Sequence, residues 1–168
     1  MKKENALRQI LSRLRPFALG LVLAAFGLAL AAGPGHAQMQ APPGYYKDQK
    51  VVYHNDGGTP DNAAYFRKLL TNIRNHVNAV GKDHVEIRVV DHGDGLILFQ
   101  LANQDADFAK RIDALKAVGV KFLICGNTLT ERHIDWHTLY GVKEGDLVPS
   151  GVAELARLQG MGYAYIHP

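Results

Sequence analysis

From Lys50 onward, apolar residues follow two alternating rhythms. Lys50-Val51-Val52-Tyr53-His54-Asn55 is a β-branched and aromatic run closed by Asp56-Gly57-Gly58, which predicts a first strand. Thr59-Pro60-Asp61 offers a capping hydroxyl, a proline for the first turn and an acid near the positive end of a helix dipole, so a helix is predicted to start there. Ala63, Phe66, Leu69, Leu70, Ile73 and Val77 follow at helical spacing until Gly81. Val85–Val90 predicts a second strand, closed by Asp91-His92-Gly93, and Leu96–Leu101 is apolar without a clear period. Asp105–Val118 predicts a second helix with Phe108, Ile112, Leu115 and Val118 on one side. Val120–Cys125 predicts a third strand, and Gly126-Asn127-Thr128 opens a helical segment expected to reach about His137. Leu147-Val148-Pro149 predicts a short fourth strand, Ser150 a cap for a helix over Val152–Gln159, and Tyr163–Ile166 a fifth strand.

Strands alternating with helices through short loops predict a mostly parallel sheet of about five strands with helices on both faces. The third strand is apolar at nearly every position, as expected of a central strand covered on both faces. Ligands and reactive groups gather at the carboxyl ends of the strands in such sheets. Here those ends are His54–Pro60, Asp91–Leu96 and Cys125–Thr128.

The amino end reads differently. Lys2, Lys3, Arg8, Arg13 and Arg15 stand against Glu4, an uncharged run Phe17–Ala32 follows, and Gly33-Pro34-Gly35-His36-Ala37 ends in a small-x-small tripeptide. This order is that of a secretory signal peptide over 1–37, cleaved after Ala37, with the periplasm as destination. An uncleaved anchor is the competing reading, but the apolar run is shorter than the roughly 20 residues a spanning helix needs. The absence of a cysteine near the cleavage site argues against a lipoprotein. Residues 38–49 read as a flexible arm and 50–168 as one α/β domain. Cleavage changes the charge argument: the chain has 19 basic and 16 acidic residues, the leader takes five and one of them, and 14 against 15 remain, a formal charge near −1. No basic cluster is left, so no nucleic-acid partner is expected, and after cleavage no membrane contact.

The candidate chemistry centres on the chain's single cysteine, Cys125, at the predicted strand-to-helix junction. Free N–H groups at a helix start favour thiolate over thiol. Gly126 permits close approach, and His92 and His54 end neighbouring strands. The competing reading is a buried core thiol, since free cysteine is among the most buried residue types. His133 and His137, four apart, would share a helix face and offer two metal ligands that Cys125 or His92 could complete; Ile134-Asp135-Trp136 between them lacks the glutamate of zinc proteases. Chance pairs are common among this many histidines, and neither a metal nor a cofactor is expected. Asp56-Gly57-Gly58-Thr59-Pro60 matches no phosphate-loop pattern and reads as a flexible turn. Tyr163, Tyr165 and Trp136 read as core or interface residues.

The segments Val89–Gly93, Gly119–Leu129, Val148–Val152 with Glu154-Leu155, Leu158-Gln159, and Gly162–Ile166 resemble the DsrE/DsrF-like family over Lys50–Pro168. The resemblance implies a three-layer α/β/α fold with a mostly parallel sheet and assembly as a homo-oligomer, a trimer or hexamer. It also implies sulfane sulfur carried as a persulfide on a cysteine after the third strand, which falls on Cys125, with the family's His-Gly on His92-Gly93. His54, Gly93, Gly126, Asn127 and Thr128 are then the cleft residues. With no second cysteine, the acceptor must be a small thiol or a thiol or persulfide partner protein. The export signal sets this chain apart from cytoplasmic relay members. The expected function is a periplasmic sulfur carrier or sulfurtransferase-like protein. The alternatives are a non-catalytic ligand-binding or assembly protein with a structural Cys125, or a metal-binding protein using Cys125 with His92, His133 or His137.

Overall fold

A computed structural model describes residues 41–58 and 60–168. The chain divides into Met1–Gln38 and Met39–Pro168, and the described residues belong to the second unit. The expected signal peptide and Thr59 lie outside the described residues. In chain order the elements are β1 Gln49–Asn55, α1 Asn62–Val80, β2 Val85–Asp91, α2 Ile97–Ala102, α3 Ala106–Ala117, β3 Lys121–Cys125, α4 Gly126–Glu131, β4 Leu147–Val148, α5 Gly151–Gly160 and β5 Ala164–Ile166, with 3-10 turns at Gly93–Leu96, Trp136–Thr138 and Glu144–Asp146. Residues 41–48 form no helix or strand and are exposed. No described helix is long and apolar enough to cross a membrane.

The sheet has five strands in the order β4-β3-β2-β1-β5, and every pairing is parallel. Alternation within each strand splits the core into two layers. Val51, Tyr53, Ile87, Val89, Phe122 and Ile124 face α1, α2 and α3, whose Phe66, Leu69, Ile73, Leu98, Phe99, Phe108 and Ile112 fill the larger core. On the other face Val52 and Val90 meet Leu155, Leu158 and Tyr163 around α5, with partly buried Leu123 beside them. The fold is thus three layers with unequal covers.

That inequality corrects the reading of β3. The middle strand is β2, and β3 lies one place from the edge beside the two-residue β4. α5 covers the second face incompletely, so β2 carries Glu86 and Arg88, which pair with each other there while Tyr163 donates to Glu86.

Local physics explains most boundaries. Asp61 caps α1 by accepting from the Ala64 N–H at 2.9 Å, so the cap lies two residues after the expected threonine. Gly81, at φ 99°, closes α1 by donating to Val77 O. Asp105 and Ser150 cap α3 and α5 through their side chains. The third predicted helix stops at Glu131, because His133 takes a left-handed φ of 53° and Asp135 starts a separate turn. His133 and His137 therefore do not share a helix face.

Candidate functional site

β3 leaves the sheet into α4, whose Leu129 joins the larger core, while its neighbour β4 leaves into α5 on the opposite face. Chain paths diverging from adjacent strand ends open a crevice, the usual place for a ligand in an open α/β sheet. Cys125 is the last residue of β3 and the N-cap of α4, at the foot of that crevice. Its Sγ accepts from the Gly151 N–H at 3.1 Å and the Thr128 N–H at 3.5 Å. One helix start thus contributes Thr128, and the start of α5 contributes Gly151.

Burial pushes the Cys125 thiol up, but the Thr128 hydroxyl and the N–H groups of Gly151, Thr128 and Asn127 outweigh it, and the group lies below the ordinary thiol value. Donors aimed at sulfur stabilise the anion more than the neutral thiol. Thr128 is itself held, its Oγ1 accepting from the Gly93 N–H at 3.0 Å. Gly93 adopts φ 55°, a left-handed geometry that favours glycine, and this aims its N–H across the β2–β3 gap.

The sequence-derived residues converge, with differences of role. His92 flanks Cys125 across Gly151: a Cβ on Gly151 would lie 2.9 Å from His92 Cβ and 3.2 Å from Cys125 Cβ. Gly126 passes under β4, where a Cβ would sit 3.2 Å from Val148 O. The Asn127 side chain is exposed while its N–H binds Pro149 O, and Thr128 is buried. His54, at the end of β1, contacts His92 with the two Nε2 atoms 2.6 Å apart and the rings stacked at 4.8 Å. His133 and His137 are exposed, and His137 is tied to Asp135 and stacked on Trp136.

Several participants escaped the sequence reading. Tyr165 OH lies 2.6 Å from His54 Nδ1, so a residue read as core or interface orients the histidine while its own ring is 44% exposed. His167 stacks on His54 at 4.8 Å and binds Asp56 at 3.1 Å. Tyr165 in β5 and His167 just past its end are two apart, a spacing that places them on one side and was the available signal. Asp56 and Gly57 are packed: a Cβ on Gly57 would come within 2.6 Å of Asp94 Cβ. The start of the turn is therefore a fitted corner, while Gly58 after it has open space around it. Burial lowers the His54 pKa, Asp56 raises it, and His92 and His167 lower it, with a net shift downward.

Beneath these side chains lies a polar floor. Asn55 and Asp91, paired across β1 and β2, are both fully buried, and Asn55 Nδ2 donates to Asp91 Oδ1 at 2.7 Å. Burial pushes the Asp91 carboxyl well above the usual range, against the Asn55 hydrogen bond and the Lys116 charge, which lower it. Asn55 Oδ1 and Asp91 Oδ2 have no hydrogen-bond partner among the described residues, a pattern that accords with a carboxyl favouring its neutral form.

The comparisons with known proteins agree with this architecture. The model of the DsrE/DsrF-like family matches residues 24–168. A solved structure of a protein of unknown function from Methanobacterium thermoautotrophicum is 31% identical, with a TM-score of 0.60 over 72% of this chain and 100% of that one. No curated protein matches the chain.

Proposed function

Because the chain belongs to the DsrE/DsrF-like family, we propose that it is an exported sulfur carrier that holds sulfane sulfur as a persulfide on Cys125. The observation that carries this reading is the sulfur's environment: hydrogen-bond donors from α4 and the start of α5 converge on Sγ and lower its pKa against the opposing effect of burial. A core thiol needs no such donors.

In the loading step the Cys125 thiolate attacks the outer sulfur of a small persulfide, R–S–S–H. Its electron pair forms the new S–S bond, the old S–S bond breaks, and its electrons leave on R–S⁻. The product is Cys125–S–S–H, with no net oxidation. A second thiolate then takes the outer sulfur in the same way and regenerates the Cys125 thiolate. Cys125 is 4% exposed, which suits small donors and acceptors over large ones. In this reading His92, which flanks Cys125 across Gly151, passes a proton to the departing thiolate.

Export to the periplasm follows from the leader-like amino end, and assembly as a trimer or hexamer is part of the same proposal. The exposed apolar residues Val152 in α5, Met161 just after it and Tyr165 in β5 support that assembly.

Intact mass spectrometry after incubation with glutathione persulfide tests the carrier function. A gain of one sulfur atom is expected, removable by a reductant and absent in Cys125→Ser. No gain in the wild type, together with a thiol that a small alkylating agent fails to reach in the folded protein, would make Cys125 structural.

A further inference from the structure

Among the described residues, His54, Asp56 and His167 bring one ligand atom each to within 4.8 Å of one another. His167 Nε2 lies 3.1 Å from Asp56 Oδ1, and His54 Nε2 lies 4.0 Å from Asp56 Oδ2. The three come from separate places in the chain: the end of β1, the turn after it, and the tail beyond β5. The tertiary fold assembles the group, with the parallel pairing of β1 and β5 setting the register.

The surroundings are those of a ligand set. Metal-bound histidines usually give their second ring nitrogen to a neighbouring group, which fixes the tautomer and aims the lone pair. His54 does this: Nδ1 is engaged by Tyr165 OH at 2.6 Å, leaving Nε2 turned toward Asp56. The His54 side chain is 14% exposed, so the lone pair faces the group and not bulk water. His54 Nε2 shares a hydrogen bond with His92 Nε2 at 2.6 Å. An imidazole nitrogen has one in-plane lone pair, so an ion at His54 Nε2 replaces this hydrogen bond, and His92 turns aside to admit it.

We propose that His54, Asp56 and His167 bind one divalent transition-metal ion, zinc by the chemistry of the set. Two imidazoles and one carboxylate match the protein ligands of an open zinc site, whose fourth position is held by water or a reactant. Imidazole donors disfavour magnesium and calcium, which take oxygen. The set adjoins His92, whose Nε2 is 2.6 Å from His54 Nε2, and it does not include the sulfur. The site stands independently of the persulfide reading.

The test is calorimetric titration of the purified, chelator-treated chain with Zn²⁺, followed by Co²⁺ absorption. One ion per chain is expected, with a Co²⁺ spectrum free of the thiolate charge-transfer band. His167→Ala and Asp56→Asn should each weaken binding about 100-fold or more, on the scale by which even supporting residues of metal sites act. His167 lies past β5 and outside both core clusters, so its removal spares the core, and circular dichroism checks that the variant is folded. Cys125→Ser and the His133→Ala, His137→Ala double variant should bind as the wild type does. Absence of Zn²⁺ uptake, unchanged affinity in both His167→Ala and Asp56→Asn, or loss of binding in Cys125→Ser would each overturn the proposal. The last outcome would place the ion on the thiol while leaving the carrier reading of Cys125 open to its own test.

Discussion

Thr128 joins two elements through one hydroxyl. It accepts from the Gly93 N–H and donates toward Cys125, so its orientation is set before any reactant arrives. Thr128→Val keeps the shape and removes the donor. The pH profile of Cys125 alkylation is expected to have a midpoint below the roughly 8.5 of a free thiol. In Thr128→Val that midpoint should move upward, because a donor that favoured the thiolate is gone. A midpoint unchanged by the substitution would assign the lowered pKa to the backbone donors alone. Sequence reasoning placed Thr128 in the cleft because it follows Cys125 at a helix start. Gly93, 35 positions away, was read as a cleft residue too, but nothing in the sequence joined its N–H to the Thr128 hydroxyl.

The site depends on how closely the start of α5 meets the ends of β2 and β3. Gly151 makes that approach possible: its N–H reaches Sγ while the bare Cα faces His92. A Cβ there would push α5 from the sheet, so Gly151→Ala should shift the alkylation midpoint of Cys125 upward and lower the melting temperature. Gly160→Ala, at the far end of the same helix with open space around it, should be neutral or stabilising by about 0.5–1 kcal/mol. Equal effects from the two substitutions in thermal melts and alkylation would refute this account of α5. The sequence marks Ser150 as a helix cap, and the structure agrees, but a cap says nothing of what the next residue touches. Likewise a helix over Gly126–His137 was a fair extrapolation from spacing, and only the left-handed turn at His133 ends it. That residue's backbone conformation is set by its surroundings, including Arg132 reaching Asp94 at 2.6 Å.

At the scale of the molecule, the sheet carries an apolar layer on one face, ended by the buried Asn55–Asp91 pair at the strand ends, and a thin, partly charged one on the other. The buried Asn55–Asp91 pair has a measurable consequence for global stability. The folded Asp91 pKa is raised above the unfolded value of about 3.9, so the folded state holds its proton more tightly. The associated stability is complete below the unfolded pKa and is lost as pH rises through the folded one. Asp91→Asn can exchange hydrogen bonds with Asn55 in both directions and carries no proton to lose. In thermal denaturation across pH, the wild type is therefore expected to lose stability relative to Asp91→Asn as pH rises from about 4. Parallel curves for the two proteins would contradict a protonated Asp91.

Most of the architecture was legible from the chain. The two periodicities are local properties, imposed by side chains that must point to one side of a helix or alternate across a strand, so the elements, the parallel sheet and the position of Cys125 at a strand end could all be read off. Strand order could not, because no local signal says that β5 pairs with β1 or that β2 takes the middle. That order brings His167 to His54, and the diverging exits of β3 and β4 bring Gly151 to Cys125. The charged Glu86 and Arg88 on the middle strand are explained only by the partial cover of α5. Reactivity and metal geometry depend on distances of a few ångströms between residues far apart in sequence, and those distances exist only once the layers have packed.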